Sequence, residues 1–208
     1  MTSSRTRRFR VPAALLAGVL ITALAACGGS RTPPVLLPPR VDLAPHNRIG
    51  LVLFTAEKAK GSLAALATQR FMEQLLRAQP GIEVLELGAI AGPIDAAAAR
   101  RIGAEQGVRT IAVGHIVVSD LKPRVSMSGG LSASAEGTVT LTTRLLSAES
   151  GATLWSQSSR IRQTMGSIGV VDGQAVFGAQ DPQEAYGAMV DELVSYVTDD
   201  FKSHYARR

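Results

Sequence analysis

The sequence predicts an α/β (α+β) fold, a single three-layer-like domain with a mixed sheet whose elements follow the order β-α-β-α-β-β-β-α. Three observations predict it. Between residues 48 and 118, short apolar runs alternate with helical patterns, the order typical of parallel strands covered by helices. Two strand-like segments joined by a hairpin-length connection follow at residues 139–161. An amphipathic helical pattern then closes the domain.

The first three strands are predicted from short, unbroken apolar runs, which are typical of strands covered on both faces. They span Arg48 to Phe54, Ile82 to Leu87 and Thr110 to Val118. Val139 to Leu146 and Ala152 to Ile161 are the next two predicted strands. The five residues between them end in glycine and predict a hairpin connection.

The first two helices are predicted from apolar periodicity and from residues that begin or end helices. Ser62 is a candidate N-cap for a helix that runs to about Gln79, where a Pro-Gly pair stops it. Asp95 caps a second, alanine-rich helix, and Gly107 closes that helix.

The last helix has the clearest start signal in the chain. The motif Asp181-Pro182-Gln183-Glu184 combines an N-cap, a proline at the first helical position and a glutamate three residues after the cap. One predicted face is apolar throughout and consists of Tyr186, Met189, Val190, Leu193, Val197 and Phe201.

Residues Val125 to Leu145 alternate between apolar or small and polar side chains with period two. This pattern indicates extended chain, too long for one typical strand, so Gly129-Gly130 or Gly137 should break or bend it. We expect a partly exposed strand pair that extends the sheet, or a mobile loop; insertion into a membrane is the alternative. Asp172-Gly173 predicts a further two-residue hairpin.

The N-terminus has the order of a secretory signal peptide, here residues 1–26. Arg5, Arg7, Arg8 and Arg10 are followed by an uncharged, mostly apolar run from Val11 to Ala26 that ends in small residues. This run is shorter than the roughly 20 residues that a membrane-spanning helix needs.

The single cysteine, Cys27, follows directly after that run. The sequence Leu24-Ala25-Ala26-Cys27 resembles the lipobox of bacterial lipoproteins. The resemblance implies that Leu24, Ala25 and Ala26 are recognised by the signal peptidase and that Cys27 is acylated, becomes the mature N-terminus and holds the protein on a membrane. The alternative is a buried free cysteine after an ordinary signal peptide.

The lipobox resemblance also bears on location. No aspartate follows Cys27, which favours the outer membrane with the domain facing the periplasm; the inner membrane and the cell surface are the alternatives. Residues 27–47 are predicted to be a tether, because five prolines fall among them, and the α/β domain is expected at residues 48–205. Within the tether, Val35-Leu36-Leu37 is expected to dock on the domain; docking on a partner is the alternative.

Composition excludes some functions. Removal of the signal peptide leaves 18 basic residues against 17 acidic ones, so the mature chain lacks the basic excess of a nucleic-acid-binding surface. With one cysteine, no disulfide can form within the chain.

The sequence offers no catalytic, metal-binding or cofactor-binding motif. His46, His115 and His204 lack metal-ligand spacing, and there is no second thiolate. His115, with Ser119 and Asp120 just beyond it, is the sharpest candidate for a site, although a hydrogen-bonded core histidine is the favoured interpretation. The acidic pairs Asp191-Glu192 and Asp199-Asp200 are expected on solvated faces. We therefore expect a protein that is not an enzyme.

Several stretches resemble the lipoprotein family of the curli secretion channel. They are the run Arg48 to Phe54, the segment Gly107 to Ile116, the segment from Val139 to Trp155 and its following serine, and Asp181-Pro182 at the last helix. The same α/β domain is shared with lipoproteins that activate penicillin-binding proteins. The resemblance implies the fold across residues 48–205 and narrows function only to a class.

The sequence therefore predicts a lipid-anchored, non-enzymatic binding or assembly module of the cell envelope, with an unidentified envelope protein as partner and a possible homo-oligomer. The alternative is a subunit of an oligomeric outer-membrane secretion channel resembling the curli secretion lipoprotein. An unrecognised enzyme is the third possibility.

Overall fold

The computed structural model describes residues 35–126, 132–166, 168–171, 173–177 and 182–206. The described residues fall into two units: residues 35–36 and 205–206 belong to one, and the described part of residues 37–204 forms the other. Strand β1 (Val35–Leu37) pairs with strand β11 (His204–Ala206). All three β1 side chains are exposed.

The larger unit is built on one mixed sheet. Its main strands are β2 (Arg48–Val52), β5 (Glu83–Gly88), β6 (Thr110–Ser126), β7 (Ser132–Ser147) and β8 (Thr153–Gly166). They lie in the order β5-β2-β6-β7-β8. Strand β2 is parallel to β5 and β6, whereas β7 is antiparallel to its neighbours β6 and β8. The short strand β3 (Thr55–Glu57) also pairs with β6.

Three helices complete the order that the sequence predicts: α1 (Leu63–Ala78), α2 (Ala96–Gln106) and α3 (Pro182–Val197). The predicted α/β class and mixed sheet are confirmed. Asp95 caps α2 as predicted, since its side chain accepts a hydrogen bond of 2.8 Å from the Ala98 backbone N–H. Ser62 occupies the N-cap position of α1 but makes no capping bond; its hydroxyl is hydrogen-bonded to the Tyr186 hydroxyl on α3 instead.

Helices lie on both faces of the sheet, which gives the molecule three layers. On one face α1 and α3 cover a large core, whose bulkiest fully buried side chains include Phe71, Leu75, Leu141, Leu145 and Phe201. On the other face α2 packs over a smaller core, with Ala99 and Ile102 against Ile111. Helix α2 therefore covers only one end of its face.

Strands β6 and β7 form a longer hairpin than the sequence predicts. The third strand was expected to end at Val118, yet β6 continues to Ser126 and pairs with β7 as far as Ser132. A register shift lies between Ser119 and Lys122, where Asp120 takes a positive φ of 55°. The predicted sheet-extending strand pair is confirmed. The expected break at Gly129-Gly130 lies outside the described residues.

A second hairpin follows. Strands β9 (Ile168–Val171) and β10 (Gln174–Phe177) are antiparallel with Val171 opposite Gln174, so two residues connect them, as Asp172-Gly173 predicts. Gly173 has the positive φ of such turns, 73°. Strand β10 also pairs in parallel with β4 (Ala59–Gly61).

Residues 37–47, predicted to be the end of the tether, are part of the larger unit. Leu43 is fully buried in the main core, and its backbone N–H donates to the Gln79 side-chain oxygen at 2.7 Å. The Gln79 side-chain amide in turn donates to the carbonyls of Val41 at 2.6 Å and Phe201 at 3.1 Å. One glutamine side chain thus joins three distant segments. The prolines restrict this backbone, but Gln79 satisfies its polar groups and lets Leu43 enter the core.

Candidate functional site

The predicted lipidation site lies outside the described residues. Cys27 and its recognition residues Leu24, Ala25 and Ala26 fall in residues 1–34. Acylation of Cys27 therefore stays a prediction from sequence.

The three histidines are separate in the structure. His46 Nδ1 lies 2.7 Å from Thr110 Oγ1, and His204 Nε2 lies 3.3 Å from the Asp199 carbonyl oxygen. His115 is in the middle of β6, and about half of its side chain is exposed. The interpretation of His115 as a core histidine is therefore wrong. Among the described residues, no group of three or more His, Cys, Asp or Glu side chains is placed to hold a metal ion.

Two neighbours from β3 fix the His115 ring. Its Nδ1 is 2.9 Å from Thr55 Oγ1, and its Nε2 is 3.5 Å from Glu57 Oε2. The Ser119 hydroxyl, which the sequence suggested as a neighbour, donates to the Asp120 carboxylate at 3.3 Å instead. Parallel pairing of β3 with β6 places Thr55 directly opposite His115, which explains a contact that sequence separation hides.

Glu192 and Asp199 are exposed, as expected, whereas Asp200 is partly buried and has structural contacts. Asp200 accepts a hydrogen bond of 3.1 Å from the Trp155 indole N–H, and it lies 3.4 Å from an Arg40 nitrogen. Asp199 lies 3.5 Å from Lys202 Nζ. These contacts tie the residues that follow α3 to β8 and to the segment before β2.

Arg70 on α1 forms the main charged cluster between α1 and α3. Its Nη1 donates to Glu73 Oε2 at 2.6 Å, its Nη2 donates to Gln183, and its Nε lies 3.1 Å from Asp191 Oδ1, although the angle there falls short of a hydrogen bond. The hydrogen bond from Arg70 lowers the pKa of Glu73. This cluster holds two helices together and lies away from the open half of the sheet.

The sheet face that α2 leaves uncovered is polar. Register places Thr142 between His115 and Ser158, and Arg144 beside Ser156. The hydroxyls of Thr142 and Ser158 are 3.0 Å apart, and Arg160 Nε donates to Thr140 Oγ1 at 3.3 Å. We call this surface the polar sheet face; it consists of His115, Thr140, Thr142, Arg144, Ser156, Ser158 and Arg160.

The opposite side of the same strands is apolar, with Val139, Leu141 and Leu145 buried. The alternation of β7 therefore separates a core side from a side of hydroxyl and guanidinium groups. From the sequence, the alternation predicts a strand pair, but its polar half is not assigned to a site. The run of threonines at alternate positions before Arg144 is the pattern that could have indicated this surface.

A small cavity of about 200 Å³ opens beside the polar sheet face. The connection between β5 and α2 forms its roof, and strands β6 and β7 form its floor. Its lining combines apolar side chains with the polar side chains of Thr55, His115, Thr142 and Arg144, a group that we call the polar end; within it, Arg144 lies opposite the apolar Val113 in the strand register. We call this cavity the loop cavity. A separate open groove of about 700 Å³ is lined by other residues, among them Arg100 and Arg109.

Within the described residues, no helix combines the length and the apolar character needed to cross a membrane.

No known family model and no curated protein matches the chain. Among solved structures, it is similar to the PelC dodecamer from Paraburkholderia phytofirmans, with 16% identity, 85% of this chain and 99% of that chain covered, and a TM-score of 0.48. It is also similar to the lipoprotein GNA1162 from Neisseria meningitidis, with 19% identity, 56% and 83% covered, and a TM-score of 0.38.

A third similar structure is the LpoB C-terminal domain from Salmonella enterica, with 14% identity, 70% of this chain and 94% of that chain covered, and a TM-score of 0.38. Identities below 20% with TM-scores below 0.5 are too low to assign this chain to a family or to transfer a function. The resemblance to the curli secretion lipoprotein family stays a prediction.

Proposed function

We propose that this chain is a lipid-anchored protein of the bacterial cell envelope whose domain is a non-enzymatic binding or assembly module. The lipobox at Leu24–Cys27 supports the anchor. Three acyl chains on one cysteine would make membrane attachment stable, because each buried methylene contributes about 0.8 kcal/mol and a single chain binds only marginally. The outer membrane, with the domain facing the periplasm, is the location we propose.

The observation that supports a binding module is the polar sheet face. A sheet face without helical cover exposes side chains to water or to a partner. Here the exposed side carries hydroxyl and guanidinium groups on β7 and β8 and the His115 imidazole on β6. These groups suit hydrogen bonding to a polar partner surface. An envelope protein is the partner we propose.

Site-specific photocrosslinking in living cells tests this proposal. A photoreactive residue replacing Ser158 on the polar sheet face should give a discrete adduct with an envelope protein. Arg77, an exposed residue on α1, is the matched control position and should give no such adduct. Identical adducts at both positions, or none at Ser158, would contradict a partner on this face.

An oligomeric channel subunit is the second candidate, and the edges of the sheet favour it. Strand β8 has 14 residues and pairs on one side only with β7 within the described part of the chain, while β5 forms the opposite edge. A long open edge is a template for another strand, and head-to-tail pairing of such edges between copies builds a ring. Edge geometry and not charge supports this candidate, since Arg162 on β8 is already paired with Glu136 and Glu83 on β5 with Arg48.

The two candidates differ in mass. A channel requires a closed ring of many copies, whereas a module does not. Light scattering of the acylated protein in mild detergent separates them. A species with the mass of a closed ring, which the double variant Arg160→Glu, Arg162→Glu no longer forms, would support the channel subunit and contradict the binding module.

A further inference from the structure

The loop cavity combines an apolar wall with a polar end. Ile90, Pro93 and Ile94 from the roof and Val113 from β6 form the wall. Ile90, Ile94 and Val113 are partly buried and pack against the smaller core. A ligand in this cavity would therefore place an apolar part against side chains that the fold already holds in place.

The polar end contains an unpaired cation. Among the residues that the structure describes, the Arg144 guanidinium has no ion-pair or hydrogen-bond partner. This distinguishes it from Arg160 and Arg162, which contact Thr140 and Glu136. Arg144 therefore has its hydrogen-bond donors available beside the cavity.

The neighbours of Arg144 add hydroxyl groups. Thr55 and Thr142 line the same end as His115. The carboxylate nearest to His115, that of Glu57, lies 3.5 Å from Nε2 and is not part of the cavity lining. The charged group that lines the cavity beside the apolar wall is thus the Arg144 guanidinium.

These features define the ligand by chemistry. A guanidinium binds a carboxylate through two parallel hydrogen bonds, and the wall requires an apolar body. A cavity of about 200 Å³ has the volume of about seven water molecules at roughly 30 Å³ each in the liquid, and covalently bonded atoms pack more closely than separate water molecules.

We propose that the loop cavity binds a small monocarboxylate with a compact apolar body, its carboxylate on Arg144 and its body against Ile90, Ile94 and Val113. The Thr142 hydroxyl donates a further hydrogen bond to the carboxylate when the Ser158 hydroxyl donates to Thr142. This site shares His115, Thr142 and Arg144 with the polar sheet face, but its ligand is a free small molecule, whereas the partner proposed for that face is a protein. Its failure would leave the binding-module proposal intact.

The test uses 4-fluorobenzoate as the probe and the full-length protein in mild detergent. Fluorine NMR should show protein-dependent broadening of the probe signal, and excess unlabelled benzoate should reverse it. The neutral analogue 4-fluorobenzamide has the same shape without the charge. It should bind at least about tenfold more weakly, because a hydrogen bond to a charged group contributes about 1.5–3 kcal/mol.

Arg144→Gln should weaken 4-fluorobenzoate binding by about tenfold or more, and Arg144→Lys should retain part of the affinity. Arg100→Gln is the matched control, since it removes an arginine that lines the separate groove. Melting curves of all variants verify folding. Absence of broadening at millimolar probe, or equal binding by the Arg144→Gln and Arg100→Gln variants, would overturn the proposal.

Discussion

Gln79 shows how one polar side chain can define the start of a domain. Its three hydrogen bonds reach two segments that are distant from it in the chain, residues 41–43 and residue 201. From the sequence, Gln79 is predicted only as the end of a helix. A side chain that bonds distant backbone groups leaves no periodic signal, so neither this contact nor the burial of Leu43 could be predicted.

Replacing Gln79 with alanine should lower the free energy of unfolding by about 2–4 kcal/mol, because it leaves part-buried backbone groups without partners. Chemical denaturation measures the change. Gln69→Ala is the control, since Gln69 is exposed and bonds only to Glu73 one turn away; its loss should stay within about 0.5 kcal/mol. Equal losses in the two variants would contradict the role of Gln79.

The lowered pKa of Glu73 predicts how the free energy of unfolding changes with pH. Because Arg70 lowers the pKa of Glu73 in the folded protein, the ionised form stabilises the fold at every pH above the unfolded pKa of about 4.3. That contribution disappears as pH falls below about 4.3 and through the folded pKa. The Glu73 side chain is one third exposed, so the contribution should be below about 1 kcal/mol.

Comparison of wild type with Glu73→Gln measures this effect. The wild type should be more stable at pH 7, and the difference should shrink between about pH 4.5 and pH 3. A difference that persists unchanged at pH 3 would rule out the ion pair as its cause.

Among the elements, α2 depends on a close approach to the turn between β7 and β8. A Cβ atom on Gly103 would lie 2.6 Å from the Ala148 Cβ and 3.1 Å from the Val108 carbonyl oxygen. Glycine inside a helix is normally unfavourable by about 0.5–1 kcal/mol relative to alanine. Here it permits α2 to pack directly on the hairpin turn.

Gly103→Ala should therefore destabilise the protein by roughly 1–3 kcal/mol, despite its better helix propensity. Ala148→Gly removes the opposing methyl group, so the double variant should recover part of the loss. Thermal unfolding of the two single variants and the double variant gives the coupling energy. Additive losses would show that the two residues do not compete for the same space.

The elements differ in how far their sequences determine them. The type and order of the main helices and strands could be predicted, because apolar runs, caps and helical stripes are local signals. The lengths of β6 and β8 could not, since cross-strand pairing extends them beyond their apolar runs. The exposure of His115 could not be predicted either. Its neighbours along β6 are apolar, which predicts burial, but no helix covers the sheet face at His115.

At the scale of the molecule, the domain boundary can be tested by truncation. A protein that begins at residue 37 retains Val41 and Leu43, whereas one that begins at residue 48 loses the burial of Leu43 and two hydrogen bonds to Gln79. The shorter protein should be less stable by at least about 2 kcal/mol, the value of one buried leucine. Equal melting temperatures would show that residues 37–47 belong to the tether and do not stabilise the folded unit.

For the candidate sites too, a motif of adjacent residues can be predicted from sequence, whereas a surface assembled from distant segments cannot. The lipidation motif is contiguous, so the sequence alone is enough to predict Cys27 as the lipidation site. The polar sheet face and the loop cavity combine residues from separate strands with the connection at residues 88–95. Their assembly depends on strand register and on the position of α2, which no single stretch of sequence specifies.

Acylation of Cys27 is the most direct test of a membrane-anchored module. Cells that express the full-length protein are fed an alkyne-tagged fatty acid, and the purified protein is analysed for label and for its N-terminal residue by mass spectrometry. We expect label on the wild type, a mature chain that begins at residue 27, and no label on Cys27→Ser. Label that persists on Cys27→Ser, or an unlabelled wild type that begins elsewhere, would contradict the account.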